Sequence, residues 1–260
     1  MIPFSHCRTQ AERADQTRAR ILEAALREFS ENGLAGARTE QIAAAAGVNK
    51  ALLYYYFKGK DALYAAALES VAEGVGAANM AVLEGNGSAG ERYLKSVLNH
   101  FDRIHTKPEF QSLMQQEMIR LHRGEDNALS PMVEKVFRPV MEREHQVMEE
   151  GIAAGELIPV DPMQIRYAAL GANVFYFLSA PLMQLLQGAD PLERNALEHR
   201  RTSSIRYLGL TLFMDREHGA RVAERVLAAM PMPQNSGTLS RLTPGFHSAK
   251  KIESQEVRHK

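Results

Sequence analysis

Little in this 260-residue sequence is suited to covalent cross-linking or catalysis. Cys7 is its only cysteine, which excludes an intramolecular disulfide and fits a reducing cytoplasm. No Ser/His/Asp or Cys/His arrangement and no phosphate-cradling glycine loop is present. His100, His105, Glu117 and His122 match no standard metal spacing, so no metal, cofactor or enzymatic activity is expected. The formal net charge is zero, which removes any whole-chain basic field. The N-terminus lacks the apolar stretch of a secretory signal. One run, between Arg166 and Asp190, has no charged residue. It is interrupted by Asn173, Ser179, Pro181, Gln184 and Gln187, so it reads as a buried helix and not as a membrane span. No segment alternates with period two for long enough to argue a strand, and the expected fold class is all-α.

The most informative stretch is Thr39 to Phe57, TEQIAAAAGVNKALLYYYF. Thr39 is expected to cap a short helix reaching about Ala46. Gly47 supplies the left-handed position that ends it, and Asn49 caps a second helix carrying Leu52 to Phe57. Ile42, Val48 and Leu53 can meet inside the corner, and Ala43 is small enough for the helices to approach. This is the layout of a helix-turn-helix whose second helix enters the major groove. Residues 1–60 carry nine basic and six acidic side chains, a mild excess that coincides with the motif.

The chain divides by its punctuation into a flexible arm (1–14), a DNA-binding unit (15–61), a helical regulatory and dimerisation region (62–230) and a disordered tail (231–260). The arm is either a disordered terminus or a segment whose Arg8 or Arg13 reaches the minor groove. Ile21, Leu22, Ala25, Leu26 and Phe29 repeat at helical spacing, and Asn32-Gly33 is expected to close that scaffold helix. A long helix follows over 60–83, with inward positions Leu63, Ala67, Val71, Gly74 and Ala78. Ser88 and Glu91 form a capping box, and Pro108, Pro131, Pro162 and Pro191 mark further starts. Pro139 should kink or split its helix. The charge-free helix runs to Gly188, the next from Asp190-Pro191 to about Met214, and Asp215 opens the last. Beyond Pro231 the composition is that of a disordered segment.

Thr39…Ile42-Ala43…Ala46-Gly47-Val48-Asn49-Lys50-Ala51…Leu53-Tyr54…Tyr56-Phe57…Lys60-Asp61…Leu63 resembles the TetR family of bacterial transcriptional regulators almost position by position. The Tyr-x-Tyr-Phe run followed by Lys-Asp is the specific part. The resemblance implies a homodimer on double-stranded, palindromic operator DNA, with a small-molecule pocket in the C-terminal part. It implies DNA-facing positions at Thr39, Lys50, Ala51, Leu52, Tyr54, Tyr55 and Lys60. Lys60 at a helix N-terminus suits a phosphate, and Lys50 and Tyr55 are placed for base edges. Leu52 stands where the family usually has a phosphate-contacting threonine, and Ala51 replaces a common glycine.

For the dimer surface the apolar helices 162–187 and 191–214 are the natural choice, with Phe175, Leu178, Leu182, Ile205, Leu208 and Leu212 in a four-helix interface. Candidates for a pocket holding an apolar or amphipathic molecule are Phe101, Met114, Glu117, Met118, Leu121, Phe137, Met141, Tyr167, Asn173 and Tyr176. Aromatic and methionine side chains with sparse polar groups suit an adaptable site. The function expected is a cytoplasmic, ligand-responsive transcriptional repressor in which ligand shifts helix 60–83. The alternative is a DNA-binding regulator with no small-molecule ligand, controlled by a protein partner or constitutive.

Overall fold

The computed structural model describes residues 10–234, so Cys7, Arg8 and residues 235–260 of the tail lie outside the described residues. The helices are α1 (Gln10–Gly36), α2 (Thr39–Ala45), α3 (Lys50–Tyr56), α4 (Lys60–Leu83), α5 (Ala89–Thr106) and α6 (Pro108–His122). They continue as α7 (Leu129–Met132), a π-helical turn (Val133–Phe137), α8 (Arg138–Ala153), α9 (Pro162–Leu178), α10 (Ala180–Gln187), α11 (Arg194–Leu212) and α12 (Arg216–Ala229). Among the described residues the only β pairing is an isolated bridge between Leu157 and Phe213.

Two apolar cores organise these helices. The first joins Ile21, Phe29, Ile42, Leu53, Phe57 and Leu63 from α1–α4 to Leu113, Met132 and Val136. The second gathers Leu83, Tyr93, Val97, Val147, Ile205 and Phe213. α4 enters the first through Leu63 and Leu68 and the second through Leu83. One helix is therefore built into both cores.

Several boundaries differ from the sequence reading, each for a local reason. α1 begins at Gln10, so residues 10–14 of the expected arm, Arg13 included, are helical. Gly33 is left-handed (φ 66°) as expected of a stop, but the chain resumes a helical turn to Gly36. On α4 the buried small residues are Ala67, Ala72 and Gly76, while Gly74 is exposed. A Cβ on Gly76 would stand 2.5 Å from Val136 Cγ1, so this glycine is where α4 and the π-helical turn touch. In a straight helix Pro139 would drive its ring against the Lys135 carbonyl, and the widened turn before it relieves that clash. The charge-free segment is two helices, α9 and α10, bent by 62°. Pro181 cannot donate to Phe177, so the break falls at Ser179. No single described helix is long and apolar enough to cross a membrane. α11 starts at Arg194, because the Asp190 carboxylate accepts from Leu192 N–H (2.8 Å) and holds a turn first. Ser88 accepts from Glu91 N–H, but the Glu91 carboxylate turns to Lys95 (2.7 Å) and Arg225 (3.5 Å) instead of closing the box.

Candidate functional site

Backbone chemistry fixes the α2–α3 corner. Gly47 has φ 65°, and Gly47 N–H donates to Ala44 O (3.1 Å) while Val48 N–H donates to Ala43 O (2.9 Å). This pair of bonds is a Schellman stop, which satisfies two carbonyls that α2 leaves open. Asn49 Oδ1 then accepts from Leu52 N–H (2.7 Å) and starts α3. Ile42 and Leu53 are fully buried and Phe57 nearly so. With Leu53 and Phe57 committed inward, α3 turns Lys50, Ala51, Leu52, Tyr54 and Tyr55 outward. Tyr55 is 80% exposed and Tyr54 41%.

Thr39 and Lys60 sit differently from expectation. Arg38, not Thr39, holds the cap position of α2, with no side-chain cap bond. Thr39 is buried, and its hydroxyl lies 3.3 Å from the Tyr54 hydroxyl. The cap role fails because the helix begins one residue early, so the Thr39 side chain turns toward α3 and ties it to α2. Lys60 Nζ donates to Ala35 O (3.0 Å) and Ala37 O (3.3 Å), satisfying carbonyls after the Gly33 kink. Its charge is thereby directed at the α1 end. Lys50 is held in a close ion pair by Glu40 of α2 and lies 5.7 Å from the Tyr54 ring centre. That pairing raises the Lys50 pKa and lowers that of Glu40. Sequence reasoning missed Glu40. Ten residues separate the two, and only the angle between α2 and α3 brings them together.

The pocket candidates do not share one cavity. Met118, Leu121 and Tyr167 point to solvent from α6 and α9, with Tyr167 68% exposed. Phe101 is buried against Phe177 (5.0 Å between centroids) and Tyr176 (6.2 Å). Asn173 is buried and donates to Val97 O (3.1 Å), with His100 Nδ1 at 3.4 Å. Met114 and Phe137 pack against the first core. Glu117 is fully buried and saturated: Tyr64 donates to it (2.9 Å), Arg120 donates (2.8 Å), and Ala128 N–H donates to its second oxygen. Of the ten, Met141 alone lines the open cleft of about 500 Å³ between α8 and the start of α9. Amphipathic spacing finds a helix face but cannot say what that face meets.

The dimer candidates also divide. Phe175, Leu178 and Leu182 are exposed, whereas Ile205 and Leu212 are buried in the second core and Leu208 packs beside them. Ile205 and Leu212 are therefore covered by their own chain, since α11 has apolar residues on two sides and its inner side meets α5 and α12. Its exposed apolar residues are Tyr207 and Leu210, followed by Met214 just beyond its end. Leu185 and Leu186 of α10 are exposed as well.

Residues 21–67 match the family model described as "Bacterial regulatory proteins, tetR family", and residues 93–207 match "Tetracyclin repressor-like, C-terminal domain". The chain is 33% identical over 141 residues to the HTH-type transcriptional repressor NicS of Pseudomonas putida, covering 51% of this chain and 65% of NicS. It therefore spans just under two thirds of that relative's length. A TetR/AcrR-family regulator from Thermobifida fusca superposes with TM-score 0.54 at 25% identity, covering 74% of this chain and 95% of that one. The regulator FadR from Bacillus subtilis, solved in complex with stearoyl-CoA, superposes with TM-score 0.52 at 20% identity, covering 72% and 98%.

Proposed function

Since the chain belongs to the TetR family of bacterial regulatory proteins, we propose that it is a dimeric, DNA-binding transcriptional repressor released from its operator by a small molecule. The observation that carries the DNA reading is the outward face of α3. Two aromatic anchors fix the helix, Phe57 in the core and Tyr54 against Thr39 of α2. Lys50, Ala51, Leu52 and Tyr55 are left free of the core. In the major groove Tyr55 and Lys50 meet base edges, Leu52 meets a thymine methyl, and Tyr54 donates to a phosphate. Lys50 must exchange Glu40 for a base, so Glu40 penalises sites that offer it no acceptor. Lys60 acts by position, joining the end of α1 to the start of α4, and its spare donor reaches a phosphate.

A monomer reads one half-site, and two-fold pairing places two reading helices about 34 Å apart or a multiple of that. The surface formed by Phe175, Leu178, Leu182, Tyr207 and Leu210 is where a second copy packs. FadR shows that a protein of this fold holds a small molecule. Here the signal route is α4, whose Leu63 and Tyr64 belong to the DNA-binding core and whose Leu83 belongs to the second. A coupling of about 1–3 kcal/mol suffices for roughly 5–150-fold release. The test is selection of genomic fragments from the source organism on the purified chain, followed by footprinting. A two-fold symmetric footprint that shrinks on Tyr55→Ala supports the reading, and binding indifferent to sequence overturns it.

A further inference from the structure

The cleft between α8 and α9 has a chemical asymmetry that the fold does not explain. Its apolar wall is Val133, Met141, Met148, Pro162 and Met163. Three methionines give that wall a polarizable, adaptable surface. Glu144 belongs to the same wall and is only 2% exposed. Its Oε2 accepts from Arg166 at 2.7 Å, but Oε1 has no hydrogen-bond partner. Burying half a carboxylate without a donor is costly. The neighbouring cations cannot supply one. Arg166 uses its other nitrogen on Met141 O (2.8 Å), and Arg138 is forked onto Glu134 (2.6 and 2.8 Å). His145 leans on Glu149 (3.3 Å). Behind the wall on α5, the buried Tyr93 hydroxyl is also unpartnered, and burial first, then the Glu144 charge, hold its proton on.

We propose that this cleft binds an amphipathic ammonium ion, a protonated amine toward which the Glu144 carboxylate turns its screened, unpartnered oxygen to accept, while the apolar body lies on Met141, Met148 and Met163. A donor is what Glu144 lacks, and a positive one answers the surplus acid. With both arginines occupied, Glu142 and Glu149 add negative charge to the rim. A carboxylate or phosphate ligand would meet these acids with no free cation to receive it. The cleft also touches the π-helical turn. Val133 lines it, and Val136 of the same π-helical turn rests on Gly76 of α4. Filling the cleft therefore bears on the turn that seats α4. That last step rests on the ligand-released repressor reading, whereas binding itself does not.

The test is isothermal titration calorimetry of the full chain with octylamine at neutral pH, and with octanol and octanoate as length-matched probes. Octylammonium should bind at least about tenfold more tightly than either. Glu144→Gln should weaken octylammonium by at least about tenfold and leave octanol within about twofold. Met163→Arg, which crowds the cleft with Glu144 in place, should abolish amine binding while thermal unfolding stays as in the parent. Equal affinity for the three probes, or an unchanged affinity in Glu144→Gln, overturns the site. Fluorescence anisotropy on the footprinted DNA separates the two readings. Amine binding without DNA release upholds the site and refutes only its link to release. Release by some other compound, with no amine binding, refutes the site and upholds the ligand-release reading.

Discussion

Ile21, Phe29, Ile42 and Leu53 hold α1–α3 together by apolar contact, and the only buried polar residues there are Ser30 and Thr39. Beyond residue 100 the interior encloses Glu117, Glu144, Arg201, Asn173 and His105. Asp102 and Arg201 form a two-pronged pair (2.8 Å each), and Arg201 also caps the Met230 carbonyl (2.6 Å). A purely apolar core tolerates repacking, whereas a buried charge tolerates only its own partners. The reading unit is therefore built to hold one shape under many surface sequences. The C-terminal helices add a few buried polar contacts to their apolar core, and each is a place where occupancy or protonation changes stability.

The largest expected effect tests that contrast directly. Glu117→Ala leaves the Tyr64 hydroxyl and the Ala128 amide without their acceptor and should cost about 3–5 kcal/mol in urea unfolding. Glu117 ties α4 to the α6–α7 link, so a loss below about 1 kcal/mol would break the comparison. Acid should act next. Burial holds His100 down to about 4, from 6.5, so the unfolded chain takes up the proton first. Stability present above about pH 6.5 is then lost as pH falls toward 4, by up to about 3 kcal/mol. Protonation also removes the Nδ1 acceptor facing Asn173. His105 is lowered by burial too and adds in the same direction. Limited proteolysis at pH 5 should cut the C-terminal helices before α1–α3, and His100→Asn should flatten the slope.

Gly76→Ala is smaller. The added methyl meets Val136 Cγ1 at 2.5 Å, an overpacking cost of about 1–3 kcal/mol. A gain of up to about 1 kcal/mol in helix propensity offsets part of it. A net loss near 1 kcal/mol in thermal unfolding is expected, and a stabilised variant would show that the α4 seat is loose. Tyr55→Ala should leave stability within about 0.5 kcal/mol while weakening DNA binding by about 1–2 kcal/mol at matched salt. Those two outcomes together separate a reading residue from a packing one.

The same contrast decides what could be read in advance. Gly47, Asn49 and the α4 limits at Lys60 and Leu83 follow from contacts within five residues, and all lie where the pattern puts them. The all-helical class and the family follow from the same local signals. Thr39 failed as a cap because a one-residue shift in the helix start lies below the resolution of pattern. On the inward face of α4 Leu63, Ala67 and Val71 lie where the pattern puts them, and the phase slips at Gly74, where alanine and glycine on several sides give no stripe to follow. Ile205 and Leu212 show the same limit, since the apolar pattern of α11 is equally suited to a partner copy and to α5 and α12 of its own chain, which cover them. Glu40–Lys50 and Glu117–Tyr64 depend on angles between helices. Glu144 carried no signal at all: an acid in a helix reads as surface until its neighbours are placed.

Lys60 grips the carbonyls of Ala35 and Ala37 at the first residue of α4, and the mechanical meaning of that grip concerns leverage. α4 has 24 residues, about 36 Å of rod at 1.5 Å per residue. A rod of that length pivoting near its far end by about 5° carries its near end through roughly 3 Å, close to one base-pair step. Under the ligand-release proposal, with the reading unit clamped to the moving end, a disturbance of a few degrees at Gly76 and beyond would reach the groove as a misregister of whole side chains.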